Sequence, residues 1–342
     1  MTQIEPNRIA DTQVGSAPTI RADPPGQDPD RSNNVPANRR NTVKRLGDRV
    51  FEGLSTGSGA LILIILALVA AFLIVQGIPA FTAATEDLPY GPFFSFVAPL
   101  AFGTVWAAFL ALLMGVPVAI AIALFISHFA PRRLASGLGY VIDLLAAVPS
   151  VVYGLWGISI LGPLLQPAYT WLAANLGFIP LFAGPASGTG RTIFTAAIVL
   201  AVMILPIVTA LSREVFLQTP RLHEEAALAL GATRWEMIRM AVLPFGRPGI
   251  ISASMLGLGR ALGETMAVAL VLSPSAIVSF ALLQSTNPNT IAANIALSFP
   301  EAYGLGTNQL IATGLVLFVI TLGVNSIARA VINRRKEFSG AN

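Results

Sequence analysis

Arg260 and Glu264 stand four residues apart in a stretch that is otherwise free of charge, and residues 265–300 contain no Asp, Glu, Lys or Arg. On one helix that spacing would put both on the same face, and inside a bilayer each charge costs on the order of 2.5–3.5 kcal/mol. With arginine first, the order is the less favourable one for an intrahelical pair. Two uses fit such a cost: a buried ion pair that fixes helix register, or a polar position in a pathway, the commoner meaning of membrane-embedded charge. The planar fork of arginine matches the oxygens of phosphate or sulfate two at a time, so the ligand class it suits is an oxyanion. Glu264 would repel an anion if ionised, so it is expected either to pair with Arg260 or to hold a proton. Thr265 adjoins the pair, and Gly257, Gly259 and Gly263 leave space around it. Gly259 and Gly263 are also spaced for close helix packing.

A second concentration of chemistry runs from Arg213 to Arg247, nine charged residues in 35. Thr219 is placed to cap a short helix, Pro220 suits its first turn, and Glu224 and Glu225 favour its positive end. Leu222, Ala226, Ala229 and Leu230 fall on one apolar face, and Gly231 is expected to end that helix. Thr233-Arg234-Trp235-Glu236 has the pattern of a capping box, and Pro244 is expected to stop the second helix. The pattern alone does not distinguish a helix pair lying on a membrane surface from one covered by a protein partner.

Several chemistries are excluded. The only lysines, Lys44 and Lys336, are followed by Arg45 and Glu337, so there is no phosphate-binding loop in which a lysine precedes Ser or Thr. There are no cysteines, and His128 and His223 lack paired-ligand spacing, which leaves no expected metal centre. No nucleophile, base and acid fall into a recognisable order, so independent enzymatic activity is not expected.

The elements that must carry these residues are membrane helices. Of 342 residues, 54% are hydrophobic and 11% charged, against roughly 25% charged in soluble domains. Apolar runs reach or exceed the roughly 20 residues needed for one span. Six spans are predicted near 58–79, 96–127, 137–162, 192–212, 248–273 and 308–328, which would place Asp143 near the inner end of the third, in a structural pair. Basic residues collect before the first span (Arg39, Arg40, Lys44, Arg45), after the second (Arg132, Arg133), in 213–247, and after the last (Arg329, Arg334, Arg335, Lys336). The positive-inside rule then puts both termini in the cytoplasm. Because this charge is split among four segments, it does not form a nucleic-acid patch.

Residues 1–45 are polar and proline-containing, and are expected to form a disordered cytoplasmic tail. Residues 46–335 are expected to form one membrane domain with the loop 213–247, and 336–342 a short cytoplasmic tail. The interrupted apolar segment 163–191 reads as a structured outer loop with a partial or interfacial helix, 274–307 on the same side resembles it, and together they could offer a surface to a partner. Pro99, Pro117, Pro149, Pro163 and Pro206 mark expected kinks.

Glu225-Ala226-Ala227, then Gly231, then Leu243-Pro244 resembles the EAA loop of ABC importer permeases, with Ala241 where that family usually carries isoleucine. Gly259-Arg260-Ala261-Leu262-Gly263-Glu264-Thr265-Met266-Ala267-Val268 resembles the signature of phosphate ABC-transporter permeases, and Pro149 to Gly157 resembles their third-span motif. The Glu-Thr-Met-Ala-Val ending is more similar to the PstC type than to its PstA partner. The resemblance covers about residues 50–335. It implies an all-α bundle of type I importer permease form in a bacterial cell membrane, taking up phosphate. Arg260, Glu264 and Thr265 would lie on the substrate pathway; Glu225, Ala226, Ala227, Gly231, Leu243 and Pro244 would couple to the ATPase. The implied partners are a PstA-like permease, two PstB-like subunits that bind the ATP and magnesium, and an external PstS-like phosphate-binding protein. A permease for molybdate, sulfate or phosphonate is the alternative. An ion-driven secondary transporter would predict inverted repeats, and none is visible.

Overall fold

The computed structural model describes residues 46–336. The expected tails 1–45 and 337–342 lie outside the described residues. Among those described, six helices are long and apolar enough to cross a membrane: Val50–Thr82, Phe93–Phe129, Ser150–Leu176, Ile193–Leu217, Arg234–Leu262 and Leu305–Ala330.

The helices in chain order are α1 (Leu46–Thr82), α2 (Phe93–Leu124), α3 (Arg132–Ala146), α4 (Ser150–Trp156), α5 (Gly162–Leu176), α6 (Ile193–Leu217), α7 (Arg221–Ala229), α8 (Arg234–Met237), α9 (Leu243–Leu262), α10 (Met266–Val271), α11 (Ile291–Ser298) and α12 (Leu305–Lys336). Three π turns, Phe125–Phe129, Gly157–Leu161 and Ile238–Val242, extend or join them. Each closes on the residue before a proline: Ala130 N–H donates to Phe125 O, Gly162 to Gly157 and Leu243 to Ile238. The following residues are Pro131, Pro163 and Pro244. A proline ring clashes with the carbonyl four residues back, and a widened turn is a recognised way to accommodate such a disturbance within a helix.

This local chemistry corrects the predicted boundaries. Pro244 does not stop the second helix of the basic loop; the chain passes from α8 through the π turn into α9, so the helix that carries the fifth span begins at Arg234, on the loop side of the expected 248–273. Likewise Gly162 and Pro163 continue α4 into α5, and the third span occupies Ser150–Leu176 in place of 137–162. Residues 163–176 are therefore the second half of a membrane-length helix, where a structured outer loop with a partial or interfacial helix was expected. The separate α3 buries only Gly139, whose missing side chain admits Arg213: a Cβ there would lie 2.7 Å from Arg213 Nη1. Asp143 is exposed on α3 and makes no ion pair among the described residues.

Among the described residues, the chain from Leu61 forms one packed unit. Its core is α2 against α6, where Ala107, Ala111, Ala196 and Ala197 are almost wholly buried beside Leu200 and Met203. Small side chains permit the close backbone approach on which membrane helix packing depends. The first span is hydrophobic all round and its apolar window is entirely unburied, as suits a helix facing lipid. Its far end is tied down, with Asn308 Nδ2 on α12 donating to Gln76 O at 2.6 Å.

The segment after α10 is ordered and partly folded back into the bundle. Pro274–Ser275 pairs in parallel with Asn287–Pro288, and Leu283, Asn287, Asn289 and Ile291 are buried. Ile291 N–H donates to Thr104 Oγ1 on α2 at 2.9 Å. The two outer segments do join, since Leu282 N–H donates to Leu181 O and Ser187 N–H to Leu283 O, both at 2.8 Å.

Candidate functional site

The membrane motif folds differently from one continuous helix. α9 ends at Leu262, Gly263 to Thr265 break the helix, and α10 starts at Met266. Glu264 is buried, and its Oε1 accepts from Ala267 N–H at 3.1 Å. It thus does for α10 what a capping side chain does for an exposed helix. Thr265 Oγ1 donates back to Gly263 O at 3.1 Å. Arg260 and Glu264 therefore do not share one helix face at mid-span. Nor are they an ion pair. A Gly followed by two residues able to cap, inside an apolar run, was the available signal for this break.

Arg260 sits in the last turn of α9, half-buried, and its Nε is buried without a hydrogen-bond partner. It lines a cavity of about 620 Å³ together with residues of α6, α9 and α12, among them Gly259, Ser252, Asn325 and Arg329. A guanidinium facing such a space is suited to an anion.

The stretch from Pro149 to Gly157, singled out in the sequence, packs directly on this motif. A Cβ at Gly154 would lie 2.8 Å from Ala267 Cα, and one at Gly157 would lie 2.7 Å from Val271 Cγ2. Only glycine lets α4 approach α10 so closely. Tyr153 Oη donates to Leu145 O at 2.9 Å, holding α4 to the end of α3.

The basic loop forms the expected helix pair with one changed detail. Pro220 precedes α7 without a side-chain cap, and Thr219 is buried with an unpartnered hydroxyl, so Thr219 is not the cap. Gly231 has φ +86°, the left-handed state that glycine enters freely. The Thr233–Glu236 capping box is complete. Glu225 and Ala226 are exposed, and Ala227 and Leu243 are half-buried. A concavity of about 400 Å³ is lined by His223, Ala227, Leu230, Met240, Ala241 and Phe245, and Leu230 is 90% exposed at its rim. Pro244 lies exposed beside it. Apolar side chains displayed in this way form a surface that a partner would cover.

One contact escaped the sequence. His128 Nε2, in the π turn that follows α2, lies 3.4 Å from Glu224 Oε1 on α7, and its Nδ1 is 2.7 Å from Ser127 Oγ. The two residues are 96 positions apart, and no local pattern joins them.

A family profile described as "Binding-protein-dependent transport system inner membrane component" matches residues 115–337, which takes in both the basic loop and the Arg260 motif. The chain belongs to this family. As a member it is a multi-pass inner-membrane permease component. Among its relatives, "Phosphate transport system permease protein PstC 2" of Mycobacterium tuberculosis is 46% identical over 305 residues, covering 84% of this chain and 92% of the relative. The protein named PstC of Mycobacterium leprae is 44% identical, covering 88% and 98%. The one from Mesorhizobium japonicum is 38% identical, covering 90% and 97%. Among solved structures, a chain of a bacterial ABC transporter that imports alginate superposes with a TM-score of 0.55 at 18% identity, covering 85% of this chain and 99% of that one. The shared fold is that of an ABC importer permease.

Proposed function

We propose that this family member is the pathway-forming subunit of an ATP-driven phosphate importer. The observation that carries the reading is Arg260: an intramembrane guanidinium, without an ion pair among the described residues, facing a cavity. It stands in a chain whose relatives at 38–46% identity are named for phosphate transport. Phosphate at neutral pH is an anion that a dry apolar pathway would reject unless a cation offset its desolvation. Arginine stays protonated throughout and binds two oxygens at once.

The side bearing Arg132, Arg213 and α7 is cytoplasmic on the positive-inside rule. There the apolar concavity beside α7 receives an ATP-hydrolysing subunit, with Glu225, Ala226, Ala227, Gly231, Leu243 and Pro244 in or next to the contact. A second, homologous permease supplies the other half of the pathway, and an external phosphate-binding protein delivers the substrate to the opposite side. ATP and magnesium are bound by the ATPase partners.

The test is radiolabelled phosphate uptake by the assembled complex, with molybdate, sulfate and phosphonate as competitors. None of the three is expected to compete at low excess, as unlabelled phosphate does, and Arg260→Ala is expected to abolish uptake in a complex that still assembles. Uptake of another oxyanion in preference to phosphate would reassign the substrate; normal uptake by Arg260→Ala would remove the arginine from the pathway.

A further inference from the structure

The cavity beside Arg260 holds more cationic chemistry than the motif accounts for. Arg329 and Asn325, one turn apart on α12, line it opposite Ser252, Gly259 and Arg260 of α9. None of its lining residues is acidic, and neither arginine has a carboxylate at ion-pair distance among the described residues. Two like charges facing one space raise the free energy of the empty cavity, and an anion between them lowers it.

The shape adds a direction. Ser252 and Arg260 are eight residues apart, about 12 Å along the axis of α9 at about 1.5 Å per residue. As the fifth and sixth spans, α9 and α12 run in opposite senses across the bilayer. Arg329, late in α12, therefore lies toward the Ser252 end, and Arg260, late in α9, marks the other. The volume of about 620 Å³ corresponds to roughly twenty waters at about 30 Å³ each, so an oxyanion would keep much of its hydration there. Ser252 Oγ already donates to Pro248 O at 3.0 Å, which leaves the Asn325 amide as the neutral donor.

We infer that Arg329, assisted by Asn325, is a second anion-binding position, which takes the hydrated oxyanion from Arg260 and releases it toward the cytoplasm. This rests on the proposed oxyanion route. At a wet position a point charge suffices, whereas the drier Arg260 needs the bidentate fork.

The experiment uses the complete transporter, this chain with its permease partner, ATPase and binding protein, in proteoliposomes, with inorganic phosphate as the probe. Arg329→Gln is expected to lower the maximal uptake rate about tenfold, and Arg329→Lys to stay within about twofold of the parent. Asn325→Asp places an acid in the cavity without altering Arg329, and is expected to cost about tenfold. Arg260→Ala is measured in parallel. Normal uptake by both Arg329→Gln and Asn325→Asp, with uptake lost in Arg260→Ala, would overturn the second position and leave the first reading intact. Normal uptake by all three would overturn both. If Arg329→Gln does not assemble, Asn325→Asp decides alone, since an acid tolerated there is incompatible with an anion passing it.

Discussion

Glu264 caps Ala267 and makes no ion pair with Arg260, its carboxylate 3.1 Å from the amide nitrogen one turn ahead. The two ionisable residues of the motif therefore have separate tasks. The arginine faces a cavity, and the glutamate holds the start of the short helix on which α4 rests.

Glu264→Gln keeps an oxygen that can accept from Ala267, so uptake is expected within about twofold of the parent. Glu264→Ala removes the acceptor and leaves a buried amide unpaired, at a cost of about 1–3 kcal/mol. A lowered thermal midpoint of the solubilised complex, together with weaker uptake, is the expected result. Equal stability of the two variants would mean that the cap does no work.

At Gly154 the contact is backbone against backbone, and a Cβ would meet Ala267 Cα at 2.8 Å. Gly154→Leu is expected to separate α4 from α10 and to destabilise the chain by about 1–3 kcal/mol. Thermal unfolding in detergent measures this. Parent-like stability would show that the α4–α10 contact is looser than the geometry indicates.

Gly231 poses the opposite case. Nothing lies within 4 Å of a Cβ built there, yet φ is +86°. Substitution should act through backbone strain, at about 1–2 kcal/mol for an ordinary residue, and less for asparagine, which tolerates this state. Gly231→Leu is expected to reduce uptake and complex-stimulated ATP hydrolysis together, with Gly231→Asn milder. Equal loss in both variants would point to lost contact area in place of strain.

Labelling sites for topology follow exposure. Ser187 and Asn289 lie in the outer segments but are buried, so cysteines there would report poorly. Thr189 and Ser285 are exposed in those segments, and Ser136 is exposed on α3. In intact cells an impermeant thiol reagent should modify Thr189→Cys and Ser285→Cys but spare Ser136→Cys, which should react only in inverted vesicles. Labelling of Ser136→Cys from outside would reverse the assigned orientation.

The sequence by itself determined the class of the protein, because both signals involved are local. Long uncharged apolar runs can survive only in a bilayer, and a capping box or a glycine between two short helices is written in neighbouring residues, as at Thr233–Glu236 and Gly231. The family motifs, likewise, are contiguous. Only the tertiary structure decided where helices begin and end within apolar sequence. Hydropathy reads 248–273 as one span, but the break at Gly263–Thr265 depends on Glu264 finding Ala267, and the continuity through Pro163 and Pro244 depends on π turns. Contacts between distant segments were equally hidden: Gly154 on Ala267, His128 beside Glu224, and Arg329 sharing a cavity with Arg260. Each joins residues whose separation along the chain carries no periodic signature, so packing alone could bring them together.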